Sequence, residues 1–114
     1  MDSLETTLVQ EEGAVEEFDG DPTVVFDALA DDTCRRLLIA TESPRTAAEL
    51  RDDLSLPSST LYRKLNRLLE AGLVREVEQT PTGGNPAHRY QRTVASVDVR
   101  LSPGDLPKLW VRYG

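Results

Sequence analysis

Between Ser58 and Arg67 the chain reads Ser-Ser-Thr-Leu-Tyr-Arg-Lys-Leu-Asn-Arg. Three hydroxyls lead, Tyr62 follows, and Arg63, Lys64 and Arg67 come close behind. Hydroxyls and free N–H groups at the start of a helix can bind phosphate oxygens or base edges. A guanidinium forks onto two acceptors at once, which suits guanine or a phosphate clamp. The bases are denser here than in the rest of the chain. Residues 58–92 hold six Lys and Arg (Arg63, Lys64, Arg67, Arg75, Arg89, Arg92) against Glu70, Glu76 and Glu78.

Other chemistry has little support. One cysteine, Cys34, and one histidine, His88, stand far apart in sequence. They exclude an intramolecular disulfide and a Cys-rich zinc site, and no metal or cofactor is expected. Cys34 reads as a small core residue and His88 as a strand-surface residue. Asp52-Asp53 reads as a solvated helix end. There is no Ser/His/Asp constellation, phosphate loop or carboxylate pair, so the chain is not expected to be an enzyme.

For the groups of residues 58–67 to share a face, the segment must be a helix. Leu61, Leu65, Leu68 and Leu69 recur at i, i+4, i+7 and i+8 and supply the buried stripe that holds it down. Gly72 suits the left-handed position that ends it. Ahead of it, Thr46-Ala47-Ala48-Glu49 is a capping box that opens a third helix with Ala47, Leu50 and Leu54 inward. Leu56-Pro57-Ser58-Ser59-Thr60 makes the turn between the two. A first helix starts near Pro22 behind Asp21, with Val25, Ala28 and Leu29 on one face. Asp31 and Asp32 break the chain and cap a second helix, whose stripe is Cys34, Leu37, Leu38 and Thr41. Ser43-Pro44 stops that helix.

After Gly72 the period changes. Residues 73–79 read as a strand, residues 80–86 as a loop with Gly83-Gly84-Asn85 at its tip, and residues 88–94 as the returning strand. Val97, Val99 and Leu101 alternate with polar residues and are compatible with a third strand. Residues 102–114 contain Pro103, Gly104 and Pro107, which oppose a long helix. Yet Leu106, Leu109, Trp110 and Tyr113 are too apolar to float freely.

The chain has 114 residues, 20 Asp and Glu, 13 Lys and Arg, and a net charge of −7. That length allows one small domain. Residues 1–34 hold 11 acids and no base, while residues 35–114 hold 13 bases and 9 acids. An acidic head, net −11, therefore precedes a mildly basic body, net +4. The organisation expected is an acidic disordered tail at 1–20, a folded domain at 21–101 and a C-terminal apolar segment at 102–114. Leu4, Leu8, Val9 and Val15 are spaced loosely enough to permit a short docking helix in the tail. The start of the chain lacks the basic and apolar regions of a secretory signal, and no run reaches the roughly 18 apolar residues of a membrane span. A cytoplasmic protein is expected. Many acids, two lysines and 11 arginines resemble the composition of proteins from salt-loving archaea, whose carboxylates keep surfaces hydrated where salt screens charge; the alternative is plain acidic composition from a high-GC mesophile.

The order helix, helix, short turn, helix, hairpin is that of a winged helix-turn-helix, giving an α+β, mostly α, fold class. Ala28–Leu38, Thr46–Leu50 and Ser58–Leu65 with Leu68–Val74 resemble the ArsR-type winged-helix transcriptional regulators, with haloarchaeal members nearest. The resemblance covers residues 22–101. It implies double-stranded DNA as partner, a homodimer, and regulation of transcription through an unidentified effector or none. The paired cysteines of metal-sensing members are missing from Glu49-Leu50-Arg51-Asp52-Asp53, so no metal site is carried over.

On this reading the fourth helix enters the major groove, with Ser58, Ser59 and Thr60 at its start. Ser59, Tyr62 and Arg63 read bases. Thr46, Lys64 and Arg67 hold phosphates, and Arg89 reaches the adjacent backbone or minor groove. The first helix and the region of Leu106, Leu109 and Trp110 form the dimer seam. The alternative is a winged-helix module that binds protein, using the acidic head or the C-terminal apolar segment. Such a module has no need to concentrate Arg on the fourth helix and hairpin.

Overall fold

The computed structural model describes residues 14–79 and 87–114. The expectations for residues 1–13 and for the loop tip at Gly83-Gly84-Asn85 lie outside the described residues. The elements in chain order are β1 (Val15–Glu17), α1 (Pro22–Ala30), α2 (Asp32–Ala40), β2 (Arg45–Thr46), α3 (Ala47–Leu54), α4 (Ser58–Glu70), β3 (Val74–Gln79), β4 (Ala87–Arg92), β5 (Val94–Arg100) and β6 (Lys108–Tyr113). The described residues divide into two compact units, Asp19–Thr93 and a second made of residues 14–18 with Val94–Gly114. The α+β class expected from sequence is the class found. Among the described residues no helix is long and apolar enough to cross a membrane.

In the helical unit the chain starts each early helix where it carries an acceptor. Asp21 takes the Thr23 N–H at 2.9 Å, with Pro22 in the first position of α1. Asp31 both ends α1 and caps α2, accepting the Cys34 N–H at 2.9 Å. Thr46 and Glu49 close the capping box of α3 reciprocally. Ser55 takes a left-handed conformation, φ 54°, after α3. Gly72, φ 75°, turns the chain out of α4, a conformation glycine adopts without a Cβ clash. The core gathers Val25 and Ala28 of α1, Cys34 and Leu37 of α2, Leu50 of α3, and Leu61, Leu65 and Leu68 of α4. Leu29, Leu38, Leu54 and Leu69, expected inside with them, are half-buried at the margins of their stripes. Each fully buried leucine contributes roughly 1.5–3 kcal/mol of transfer free energy.

A three-stranded antiparallel sheet, order β2-β4-β3, completes this unit. Val74–Gln79 pairs with Ala87–Arg92 as a hairpin, and Arg45 and Thr46 pair with Tyr90 and Arg89. The end of β4 is tied down twice, by the Arg92 N–H on the Thr41 carbonyl (2.7 Å) and the Thr93 N–H on the Leu73 carbonyl (2.9 Å).

The second unit is another three-stranded antiparallel sheet, order β1-β6-β5. It corrects the sequence reading at three places. Residues 15–17, expected in the disordered tail, form β1 against Trp110–Arg112. Val94 begins β5 instead of closing the hairpin, and the third strand anticipated at 97–101 pairs with β6 in this separate sheet. The segment 102–114 supplies β6, so the expected boundary after residue 101 cuts through a sheet. Backbone pairing between residues about ninety-five positions apart leaves no local signature, which is why β1 was not visible in the sequence.

Candidate nucleic-acid interface

Helix α4 begins behind Pro57, which supplies no side-chain cap, and its first turn carries no acid. Ser58, Ser59 and Thr60, expected in the turn, are therefore its first helical residues. Successive residues turn about 100° around a helix. With Leu61, Leu65 and Leu68 buried, the opposite side belongs to Ser59, Arg63, Asn66 and Glu70, all exposed. Among the described residues Arg63 has no hydrogen bond or ion pair. The other Lys and Arg of residues 19–93, Arg67 excepted, all donate to a protein acceptor.

Tyr62, 47% exposed, stands on one flank of this face. It neighbours Tyr90 of β4, whose phenol is pushed up by burial and further by Glu76 and Tyr62. His88 lies on the hairpin surface, as expected, with Nδ1 2.5 Å from Glu76 Oε1.

The other flank differs from the sequence reading. Lys64, expected on phosphate, donates from Nζ to Asp31 Oδ1 at 2.8 Å, and its side chain is only 14% exposed. One residue on from Arg63 is about 100° around the helix, which carries Lys64 off the outer face. That hydrogen bond, with the Cys34 N–H, holds the Asp31 carboxyl well below its ordinary 3.8, at about 2. Cys34 is fully buried, and burial pushes its thiol up to about 11, so it stays protonated in the core near neutral pH. Arg67 lines an open pocket with Val24, Asp27 and Glu70, two acids beside one base.

Thr46 and Arg89 also have protein partners. The Thr46 hydroxyl accepts the Glu49 N–H at 3.1 Å, and Glu49 Oε1 accepts the Thr46 N–H at 2.9 Å. Arg89 donates to the same Glu49 oxygen at 3.1 Å across 40 residues of sequence. Arg45 bonds Asp53 and lies 3.9 Å from Glu49 Oε2. The bonds from Thr46, then the charges of Arg89 and Arg45, keep the Glu49 carboxyl below its usual range. Thr46 and Arg89 thus join α3 to the hairpin.

Sequence reasoning missed Arg51. Its guanidinium donates to Ser58 Oγ at 2.8 Å, across the turn from α3 to the first residue of α4. A base on the last turn of α3, seven residues before the start of the next helix, was the available signal. Arg92, counted among the bases of the functional surface, instead donates to the Leu38 carbonyl at 3.2 Å, at the negative end of α2. Among the described residues no three His, Cys, Asp or Glu side chains gather as metal ligands.

The structure thus brings Ser58, Ser59, Thr60, Tyr62 and Arg63 together on the first turns of α4. Lys64 and Arg67 lie on the same helix but off its outer face, and Thr46 and Arg89 lie where β2 pairs with β4. Two successive helices are joined through Ser55, Leu56 and Pro57, and the second presents Arg63 on its outer face. Residues 29–77 match the helix-turn-helix domain family. The match takes in α2, α3 and α4 whole. Among curated proteins, none matches the chain.

Proposed function

We propose that the chain is a sequence-specific DNA-binding regulator of transcription, of the ArsR-like winged type, acting on double-stranded DNA in the cytoplasm. Helix α4 enters the major groove. Ser59, Tyr62 and Arg63 read base edges, and Ser58 and Thr60 at the helix start meet phosphate. The β3–β4 hairpin lies along the adjacent backbone as the wing. Lys64 is left out of the contact set because Asp31 holds it, and Arg89 positions the hairpin through Glu49. The single observation that carries this reading is Arg63: exposed, on the outer side of α4, and without a protein partner among the described residues.

The regulator acts as a homodimer, because two copies double the contacts on a palindromic site. Leu109 is removed from the expected seam, being 1% exposed in its own sheet. The acidic composition supports a protein adapted to high salt. Salt weakens phosphate contacts, so base contacts carry a larger share of the affinity there. Footprinting identifies the operator, and gel shifts on operator and scrambled DNA test the face. Arg63→Ala is expected to cost roughly 1–3 kcal/mol on the operator and to relax sequence preference. Unchanged operator affinity would remove Arg63 from the reading surface. A wild-type chain that shifts no DNA favours the protein-binding module instead.

A further inference from the structure

The sheet formed by β1, β6 and β5 has two edges, and they differ. β1 is three residues long and carries Glu16 and Glu17, the kind of short charged edge that resists pairing. β5 is seven residues long and pairs with β6 alone. Its far end is open to solvent: Val99 is 52% and Leu101, just beyond the strand, 77% exposed, and Asp98 and Arg100 are exposed between them.

The segment Val97-Asp98-Val99-Arg100-Leu101 is complementary to itself when reversed. Laid antiparallel against a second copy about Val99, it sets Val97 across from Leu101, Asp98 across from Arg100, and Val99 across from its own equivalent. Alternation puts the apolar residues on one face and both charge pairs on the other. Within one chain these charges are poorly matched. Arg100 pairs in register with Lys108, a like charge, and stacks on the Trp110 ring at 4.1 Å, while Asp98 pairs in register with Trp110. Among the described residues Asp98 has no ion pair.

We propose that β5 is the seam of the homodimer: two copies pair through this strand about Val99 and make one six-stranded sheet, β1-β6-β5-β5-β6-β1. The proposal gives an interface to the dimer proposed above, and it stands or falls without reference to DNA.

Sedimentation velocity of the full chain at tens of micromolar tests it. The wild type is expected to sediment as a dimer. Asp98→Arg and Arg100→Asp, each alone, set like charges across the seam and raise the dimer dissociation constant at least tenfold. Mixing the two variants places opposite charges across the seam again and restores a dimer. A monomeric wild type, reversals that stay dimeric, or a mixture that stays monomeric each overturns the proposal. Circular dichroism checks that the variants fold. Should a reversal unfold the sheet, Val99→Cys provides a second reading: diamide is expected to cross-link it as a dimer and to leave Val15→Cys on β1 monomeric. Failure at Val99, or equal cross-linking at both positions, overturns the proposal. Wild-type gel shifts report on the DNA reading separately, since a dimer that ignores DNA removes that reading and leaves the seam in place.

Discussion

Asp31 and Glu49 perform the same pair of tasks in different surroundings. Each satisfies a backbone N–H at the start of a helix, and each takes a base from a distant element: Lys64 of α4 for Asp31, Arg89 of β4 for Glu49. Asp31 and Lys64 meet where little water reaches, their side chains 23% and 14% exposed. Glu49 is 45% exposed and shared among Thr46, Arg89 and Arg45. Water screens the second site more than the first, so one chemistry yields a firmer clamp in one place and a weaker surface junction in the other.

The largest effect is expected at the inner site. Asp31→Ala removes the cap of α2 and strands the Lys64 ammonium in a half-dry setting, costing about 2–3 kcal/mol in urea unfolding. A loss as small as that of an ordinary surface substitution would erase the contrast between the sites. Next comes its pH dependence. The Asp31 carboxyl sits at about 2 in the folded chain against an ordinary 3.8. A lowered folded value means the stabilisation is present above pH 3.8 and is lost as the pH falls toward 2 and below. About 1.4 kcal/mol per unit makes this about 2 kcal/mol. The stability gap between wild type and Asp31→Asn is therefore expected to be flat at higher pH and to narrow through that window. A gap that persists at pH 2 would assign the effect to shape instead of charge.

Smaller effects follow at the outer site. Thr46→Ala removes one cap bond of α3 and is expected to cost about 1 kcal/mol. Glu49→Gln keeps an acceptor for the Thr46 N–H and loses only charge opposite Arg89 and Arg45. It is expected to destabilise less than Thr46→Ala, with the difference from wild type shrinking in 1 M salt, where screening reaches within about 3 Å. A salt-independent loss would show that Glu49 also works in a water-poor setting.

The two sites also show what a sequence displays. The cap at Asp31, the box at Thr46 and Glu49, and the turn at Gly72 were all legible, because each is settled within three or four residues of backbone. The leucine stripe of α4 was legible for the same reason, and so was the exposed position of Arg63 opposite it. The partners of Lys64 and Arg89 were not. They lie 33 and 40 residues away, and a base reads as a base in sequence whichever carboxylate it meets. Grouping Lys64 with Arg63 by charge also ignored the turn of the helix between them. The pairing of β1 with β6 hid most completely, since three residues next to an acidic head carry too little pattern to show that they belong to a sheet.

The double tie at the end of β4 has a consequence for how the chain can vary over generations. Arg92 and Thr93 fasten the returning strand to Thr41 and Leu73, so the base of the hairpin is held whatever joins Gln79 to Ala87. Closing a longer connection costs only about 0.6 kcal/mol per doubling of its length. Insertions and deletions between those residues can therefore accumulate without shifting α4, leaving descendants free to change the reach of the hairpin while inheriting the same helix.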